Sequence, residues 1–128
     1  PYTTLFRSLY IIKVIIDVDE RTQCLPLARV RPEVGSKVAT CGHPQGLGST
    51  VDLNGNITQI YEKNGFLQIS NNITNGNSGG PVCDYYGNVV GIVSQHMKGE
   101  GNLNFAVDIL KVREGLDNCV DVTSYSGK

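Results

Sequence analysis

Ser78 lies in the part of this sequence best suited to chemistry, the segment 75–81, which reads Asn-Gly-Asn-Ser-Gly-Gly-Pro. A serine hydroxyl is a weak nucleophile that needs a base and a group able to stabilise an oxyanion. Glycines around Ser78 allow backbone conformations closed to other residues, so the N–H groups of Gly76 and Ser78 can point at one oxygen. The pattern indicates acyl transfer at Ser78, with a surface turn as the alternative.

The segments around Ser78 predict an all-β fold. Glycine accounts for 15 of the 128 residues, and this share, with many Val and Ile, favours short strands and tight turns. We expect about six strands after residue 36, forming a six-stranded antiparallel β-barrel with a short C-terminal helix. The six predicted strand segments are Lys37–Cys41, Ser49–Leu53, Asn56–Tyr61, Phe66–Ser70, Val89–Gln95 and Leu103–Val107, and Pro81–Cys83 is a further short segment.

Turn and cap residues set the predicted boundaries of these elements. The Asn-Gly pairs at 54–55 and 64–65 are typical of two-residue hairpin turns, so we expect a strand to reverse at each. Asp108 can cap the N-terminus of a helix that runs through Glu114 and is stopped by Gly115.

Composition excludes several classes of protein. Lys plus Arg number 11 and Asp plus Glu 12, so a net charge of -1 gives no footprint for nucleic acid. Disorder needs lower hydrophobicity than the 40% found here. The apolar segment Leu9–Ile16 contains Lys13 and is too short to span a membrane.

Four cysteines, none with C-x-x-C spacing, argue against a metal site, and we expect no cofactor. They permit up to two disulfides, and buried free thiols are an equal alternative, so the redox compartment stays open. The four are Cys24, Cys41, Cys83 and Cys119.

Taken in chain order, six segments resemble the C-terminal barrel of a trypsin-like serine peptidase, of the HtrA/DegP-like or bacterial trypsin-like branch. The resemblance implies a barrel at 31–117, preceded at 9–30 by the last strand of a first barrel and a linker. Residues 1–8 match nothing in the family, and 118–128 form a tail. The six segments are 25–28, 34–38, 42–48, 76–81, 87–94 and 104–107.

The resemblance implies a role for each matching residue. Ser78 would be the nucleophile, and the N–H groups of Gly76 and Ser78 would hold the oxyanion. Asn77 takes the place that an aspartate often occupies before the nucleophile. Two residues before this loop would form the pocket wall, and three on a strand would pair with a polypeptide substrate as an added β-strand. These substrate-binding residues are Asn72, Ile73, Ser94, Gln95 and His96.

The family's histidine and aspartate have no counterpart in this sequence. The histidine would precede Pro1, and the aspartate position falls on Ser8, which cannot serve as the carboxylate. His43 replaces a family asparagine and is expected to be exposed and structural. We therefore expect an incomplete serine endopeptidase that is inactive alone. The alternative is a non-catalytic pseudo-protease that binds peptides, and a weaker one is a purely structural barrel.

Two cysteine positions bear on compartment and cross-linking. Cys24 stands where secreted relatives can carry a cysteine, which weakly favours an extracytoplasmic origin. Cys41 and Cys83 fall on neighbouring strands of the family-like layout, where a disulfide is one outcome and two free thiols are the other.

Overall fold

A closed antiparallel β-barrel is the framework of the computed structural model, which describes residues 19, 21, 23–43, 48–73, 76–97 and 103–117, with the backbone alone at 95–97. The strands lie in the order β1-β2-β3-β6-β5-β4, and β4 pairs back onto β1. The expected all-β barrel with a short C-terminal helix is thus confirmed. Its elements are β1 (Lys37–Gly42), β2 (Thr50–Tyr61), β3 (Phe66–Ile69), β4 (Pro81–Asp84), β5 (Val89–Met97), β6 (Leu103–Asp108) and α1 (Ile109–Asp117).

The barrel interior is filled by aliphatic side chains and two phenylalanines, Phe66 and Phe105. In β1, Val38 and Thr40 are buried while Ala39 and Cys41 are partly exposed, which is the alternation expected of a strand with one face inward. Burying each large apolar side chain contributes roughly 1.5–3 kcal/mol. The residues with at most 1% of their surface exposed include Val38, Ile57, Phe66, Leu67, Val82, Val93, Ala106 and Val107.

The expected hairpin at 54–55 is wrong, because β2 runs without interruption through it. The first half of β2 pairs with β1, where Val38 lies opposite Gly55, and the second half pairs with β3, where Ile57 lies opposite Ile69. Gly55 serves close packing with the Asn71 side chain instead of a turn. The second expected turn is confirmed at 62–65, where the N–H of Gly65 donates to the carbonyl of Tyr61 at 2.9 Å.

Asp108 caps α1 as expected. Its carboxylate accepts the N–H of Leu110 at 3.0 Å and a hydrogen bond from the Arg31 guanidinium. The helix continues to Asp117, so the expected stop at Gly115 is wrong. A glycine in a helix costs only about 1 kcal/mol, less than the roughly 1.5–3 kcal/mol contributed by burying each of Ile109 and Val112 of α1.

The segment 26–32 lies along the barrel. The N–H of Val89 donates to the carbonyl of Pro26 at 2.8 Å, and the N–H of Ala28 donates to the carbonyl of Val89 at 2.9 Å. Arg113 of α1 donates to the carbonyls of Leu27 and Ala28, each at 2.9 Å. This segment is therefore fixed to both the barrel and the helix.

Several expectations concern residues outside the described ranges, namely the segments 1–8 and 9–18, the tail 118–128 and Cys119. Among the described residues, no helix combines the length and the apolar character needed to cross a lipid bilayer.

Candidate active site

The residues 76–80, here called the Ser78 loop, connect β3 to β4 and lie against β5. The N–H of Gly79 donates to the carbonyl of Val93 at 2.8 Å, and the N–H of Val93 donates to the carbonyl of Gly80 at 2.8 Å. Within the loop, the N–H of Gly80 donates to the carbonyl of Asn77 at 3.0 Å. These bonds fix the turn on the barrel and leave Ser78 exposed.

Two glycines give the Ser78 loop its shape. Gly76 has a φ of 99° and Gly79 a φ of 87°, values that residues with a Cβ rarely adopt. In the described part of the chain, neither the N–H of Gly76 nor that of Ser78 donates a hydrogen bond to an acceptor. Both donors are available to a ligand oxygen, and their role as an oxyanion hole stays a prediction.

The Ser78 hydroxyl donates to the carbonyl oxygen of Ser94 on β5, at 3.4 Å. An irregularity between Val93 and Gln95 leaves Ser94 without a partner in the β5–β6 register. Such bulges re-aim groups beside functional sites. The carbonyl of Ser94 is thereby turned toward the Ser78 loop.

Next to Ser78, the far part of β5 has an edge with which no described strand pairs. The pairing of β4 with β5 extends only to Ile92, opposite Pro81. From Ser94 onward β5 pairs with β6 alone among the described strands. An extended peptide could add to the other edge of the segment 94–96 through main-chain hydrogen bonds.

Among the described residues, the hydrogen-bond partner of the Ser78 hydroxyl is the Ser94 carbonyl and not an ionisable side chain. His43 is exposed directly after β1, as expected, and its main-chain N–H donates to the carbonyl of Gly76 at 3.4 Å. His96 lies opposite Asn104 in the β5–β6 register, and its side chain, like that of Gln95, lies outside the description.

The predicted pocket wall is anchored to β2. Asn72 is exposed, and its N–H donates to the Asp52 carboxylate at 2.7 Å. Ile73 is only 4% exposed and belongs to the hydrophobic core. Ile73 could therefore shape a pocket from behind, whereas Asn72 could contact a ligand directly. Both assignments stay predictions.

Sequence reasoning missed two buried asparagine contacts near the site. The Asn71 amide donates to the carbonyl of Val38 at 3.1 Å and to that of Asp52 at 3.3 Å, and its side chain lies over Gly55. The Asn77 side chain lies over Gly42 in the same manner. A glycine inside a strand often marks a close approach, but this signal was hidden because Gly55 fell in a predicted hairpin turn and Gly42 just after the predicted strand Lys37–Cys41.

Cys41 on β1 and Cys83 on β4 lie on paired strands, and the structure holds both as free thiols. Burial raises the pKa of the Cys83 thiol, and the neighbouring Cys41 and Asp84 raise it further. Among the described residues, no group of three His, Cys, Asp or Glu side chains is placed to hold a metal ion.

A cavity of about 900 Å³ lies elsewhere on the barrel. It is formed by the segment 26–32, the turn between β4 and β5, and Arg113 of α1. None of the predicted catalytic or substrate-binding residues lines this cavity.

Solved protease structures share this fold. The chain is similar to the serine endoprotease from Yersinia pestis, with 27% identity and a TM-score of 0.68 over 77% of this chain and 36% of that one. It is also similar to an inactive form of Rv3671c from M. tuberculosis H37Rv, with 22% identity and a TM-score of 0.70 over 84% of this chain and 58% of that one. The second likeness shows the fold alone.

A curated relative, the uncharacterized protein y4bJ of Sinorhizobium fredii, is 33% identical over an alignment of 102 residues that covers 74% of this chain and 16% of that protein. The chain thus spans only part of the length of each of these relatives. The family model described as trypsin-like peptidase domain matches residues 5–92, which are more than half of the chain and include Ser78. The match begins within residues 1–8, the segment that we expected to match nothing. Because this match covers more than half of the chain and the structure is a closed barrel, the chain belongs to the trypsin-like peptidase domain family.

Proposed function

We propose that Ser78 is the nucleophile of a serine endopeptidase that cleaves polypeptides by acyl transfer. The observation that carries the proposal is the exposed Ser78 hydroxyl next to the edge of β5 with which no described strand pairs, at the Ser94 carbonyl. A nucleophile beside a strand edge is the arrangement needed to attack an extended peptide. The 27% identity with a structure named as a serine endoprotease supports the same reading.

The chemistry assigns a role to each group of the Ser78 loop. The Ser78 Oγ attacks the carbonyl carbon of the scissile peptide bond, and its proton passes to a general base. The N–H groups of Gly76 and Ser78 stabilise the resulting oxyanion. Collapse of the tetrahedral intermediate breaks the C–N bond, and the amine leaves with the proton. Water then hydrolyses the ester and restores the Ser78 hydroxyl.

Substrate binding would free the nucleophile from its present partner. A main-chain N–H of the peptide would donate to the Ser94 carbonyl and replace the Ser78 hydroxyl there. The present hydrogen bond, at 3.4 Å, is long and therefore weak, so little is lost when it breaks. The hydroxyl could then turn toward the bound carbonyl carbon.

The general base is the part of the machinery that the described residues do not supply. The sequence contains two histidines, His43 and His96, and His43 is exposed at the end of β1. We propose that a histidine and a carboxylate from outside these 128 residues complete the site, and that the 128 residues alone turn over little substrate. Removing a triad base leaves only a small part of the catalytic rate.

A fluorophosphonate probe tests the nucleophile, because an activated serine oxygen displaces fluoride and forms a stable P–O bond. The full-length gene product should be labelled on Ser78, as read by mass spectrometry of the modified peptide. The Ser78→Ala protein should remain folded and unlabelled. If the folded full-length protein is not labelled, the proposed peptidase is wrong.

The second candidate is a non-catalytic module that captures extended peptides on β5. It is favoured by the lack, among described residues, of any ionisable side chain bonded to the Ser78 hydroxyl. The module would bind unstructured peptides without cleaving them, and Ser78→Ala would bind them equally well. Measuring peptide binding and cleavage on the same full-length protein separates the two candidates.

A further inference from the structure

The backbone conformation at Gly42, the last residue of β1, does not itself require a glycine. Its φ is not among the positive values found at other glycines of the structure. A Cβ atom on Gly42 would overlap Oδ1 of Asn77, and would lie 2.7 Å from the Cγ and 3.0 Å from the Cα of Asn77. The missing side chain therefore makes the space in which the Asn77 side chain lies.

The side chain of Asn77, which directly precedes Ser78, is held in this space by steric contact. It is only 6% exposed, and within the described ranges its Oδ1 is buried without a hydrogen-bond partner. Its main-chain carbonyl accepts the N–H of Gly80. Contact with Gly42 is therefore a main constraint on where this side chain, and the backbone that carries it, can lie.

Two further contacts join the Ser78 loop to the end of β1. A Cβ on Gly80 would overlap the carbonyl oxygen of Cys41 and would lie 3.0 Å from that of Asn77. The N–H of His43 donates to the carbonyl of Gly76 at 3.4 Å. The first, second and last residues of the Ser78 loop thus all contact the segment 41–43.

We infer that Gly42 and Asn77 are a positioning pair, in which the Asn77 side chain seated on Gly42 sets the place of Ser78 and of the two N–H groups beside it. Asn77 stands between Gly76 and Ser78, so a shift of its backbone moves both proposed oxyanion donors. The contact itself is independent of the proposed function, whereas its effect on the reactivity of Ser78 rests on the proposed function. Active-site groups must be held within about 0.5 Å, so a small shift is costly.

The test uses Gly42→Ala, Asn77→Ala and the double variant in the full-length gene product. We expect Gly42→Ala to lower the fluorophosphonate labelling rate of Ser78 at least tenfold and to lower the unfolding midpoint. Asn77→Ala should slow labelling by a smaller factor. In the double variant the overlap is gone, because the Oδ1 and Cγ atoms nearest to a Cβ at position 42 are removed and the next nearest atom, the Asn77 Cα, lies 3.0 Å away. The unfolding midpoint should then recover most of the loss, so the two changes are not additive.

Amide hydrogen exchange gives a readout that needs no reactive serine. The N–H groups of Gly79 and Gly80 are bonded to Val93 and Asn77. We expect both to exchange faster in Gly42→Ala while amides of the barrel strands keep their protection. The matched control is Gly87→Ala in the turn between β4 and β5. Gly87 has a φ of 87° and no atom within 4 Å of its Cβ position, so this change strains the backbone without touching the loop.

Each outcome decides the inference. The inference is supported if Gly42→Ala slows Ser78 labelling and speeds amide exchange in the Ser78 loop, while Gly87→Ala does neither. It also requires that the midpoint changes of Gly42→Ala and Asn77→Ala are not additive. Additive midpoint changes, or exchange at Gly79 and Gly80 no faster than in the control, overturn it. If Gly42→Ala does not fold, Asn77→Ala decides by the same exchange measurement. If the unmodified protein is never labelled, the peptidase proposal fails. Amide exchange and the additivity of the midpoint changes then still test whether the Gly42–Asn77 contact holds the Ser78 loop.

Discussion

Two asparagines of this barrel sit over glycines of neighbouring strands, and they are held there in different ways. Asn71 is fully buried over Gly55 of β2, and its amide donates hydrogen bonds to the carbonyls of Val38 and Asp52. Its own carbonyl accepts a hydrogen bond from Asn104 at 2.7 Å. Asn77 sits over Gly42 of β1 without a described side-chain hydrogen bond, and the Oδ1 atoms of both asparagines are buried without a partner among the described residues.

This difference separates a contact that holds the fold from one that holds the site. The Asn71 side chain bonds to β1 and β2, and its main chain bonds to β6, so three strands depend on one residue. The Asn77 contact joins a loop to the end of β1. Losing the first should lower the stability of the barrel, whereas losing the second should mainly displace Ser78.

Gly55→Ala should give the largest effect, because a Cβ there would overlap all three atoms of the Asn71 amide group. Overpacking costs about 1–3 kcal/mol, and expelling the amide also leaves buried carbonyls without donors. We expect the free energy of unfolding of the full-length gene product to fall by about 3 kcal/mol or more, measured by urea titration.

Gly35→Ala is the matched control for this change. Gly35 has a φ of 93° and no atom within 4 Å of its Cβ position, so alanine there adds strain without overlap. We expect a loss of about 1 kcal/mol. Equal losses at the two glycines would contradict the packing explanation for Gly55.

Asn71→Ala and Asn77→Ala compare the two side chains directly. Asn71→Ala leaves the carbonyls of Val38 and Asp52 without their side-chain donor, and an unsatisfied buried group costs about 1–3 kcal/mol. We expect a loss near 3 kcal/mol for Asn71→Ala and about 1 kcal/mol for Asn77→Ala, by the same titration. A larger loss for Asn77→Ala would reverse the distinction between the two contacts.

The barrel was predictable from sequence because its signals are local. Alternating apolar residues, the turn at 64–65 and the cap at Asp108 each act within a few residues of chain. The wrong hairpin at 54–55 shows where this reasoning ends. The Asn-Gly pair fits a turn locally, but Gly55 is required by Asn71, a contact between residues distant in sequence that no local pattern contains.

The site was predictable only in part, for the same reason. The sequence marks Ser78 by its neighbouring glycines. The irregularity that turns the Ser94 carbonyl, and the seat of Asn77 on Gly42, depend on the register of strands that are distant in sequence. Gly42 fell just after the predicted strand Lys37–Cys41, although it belongs to β1 and its contact with Asn77 requires a residue without a side chain.

Ser78→Ala should leave stability almost unchanged, which separates the nucleophile from the residues that position it. Ser78 is exposed, and its hydrogen bond to the Ser94 carbonyl is long at 3.4 Å. We expect the free energy of unfolding to change by less than about 0.5 kcal/mol, with labelling abolished. A loss above 1 kcal/mol would mean that the hydroxyl has a structural role.

The smallest effect concerns the thiol of Cys83, which reports on the pairing of β1 with β4. Burial, and then Cys41 and Asp84, raise the pKa of this thiol, so less thiolate is present at a given pH. Iodoacetamide should modify Cys83 more slowly than the exposed Cys24 at pH 8, and its rate should reach half of its maximum at a higher pH. Peptide mapping by mass spectrometry measures each rate, and equal rates would exclude a shielded thiol.

The same thiol distinguishes the two asparagines once more. Asn71 bonds to the carbonyl of Val38, which lies opposite Asp84, the residue next to Cys83. Losing that bond should let β1 and β4 separate more often, so Asn71→Ala should speed alkylation of Cys83 by a few-fold. Asn77→Ala should leave this rate as it is, because its contact lies beyond Thr40, the last residue of β1 that pairs with β4. Equal acceleration in both variants would mean that the Asn77 contact, too, holds the barrel closed.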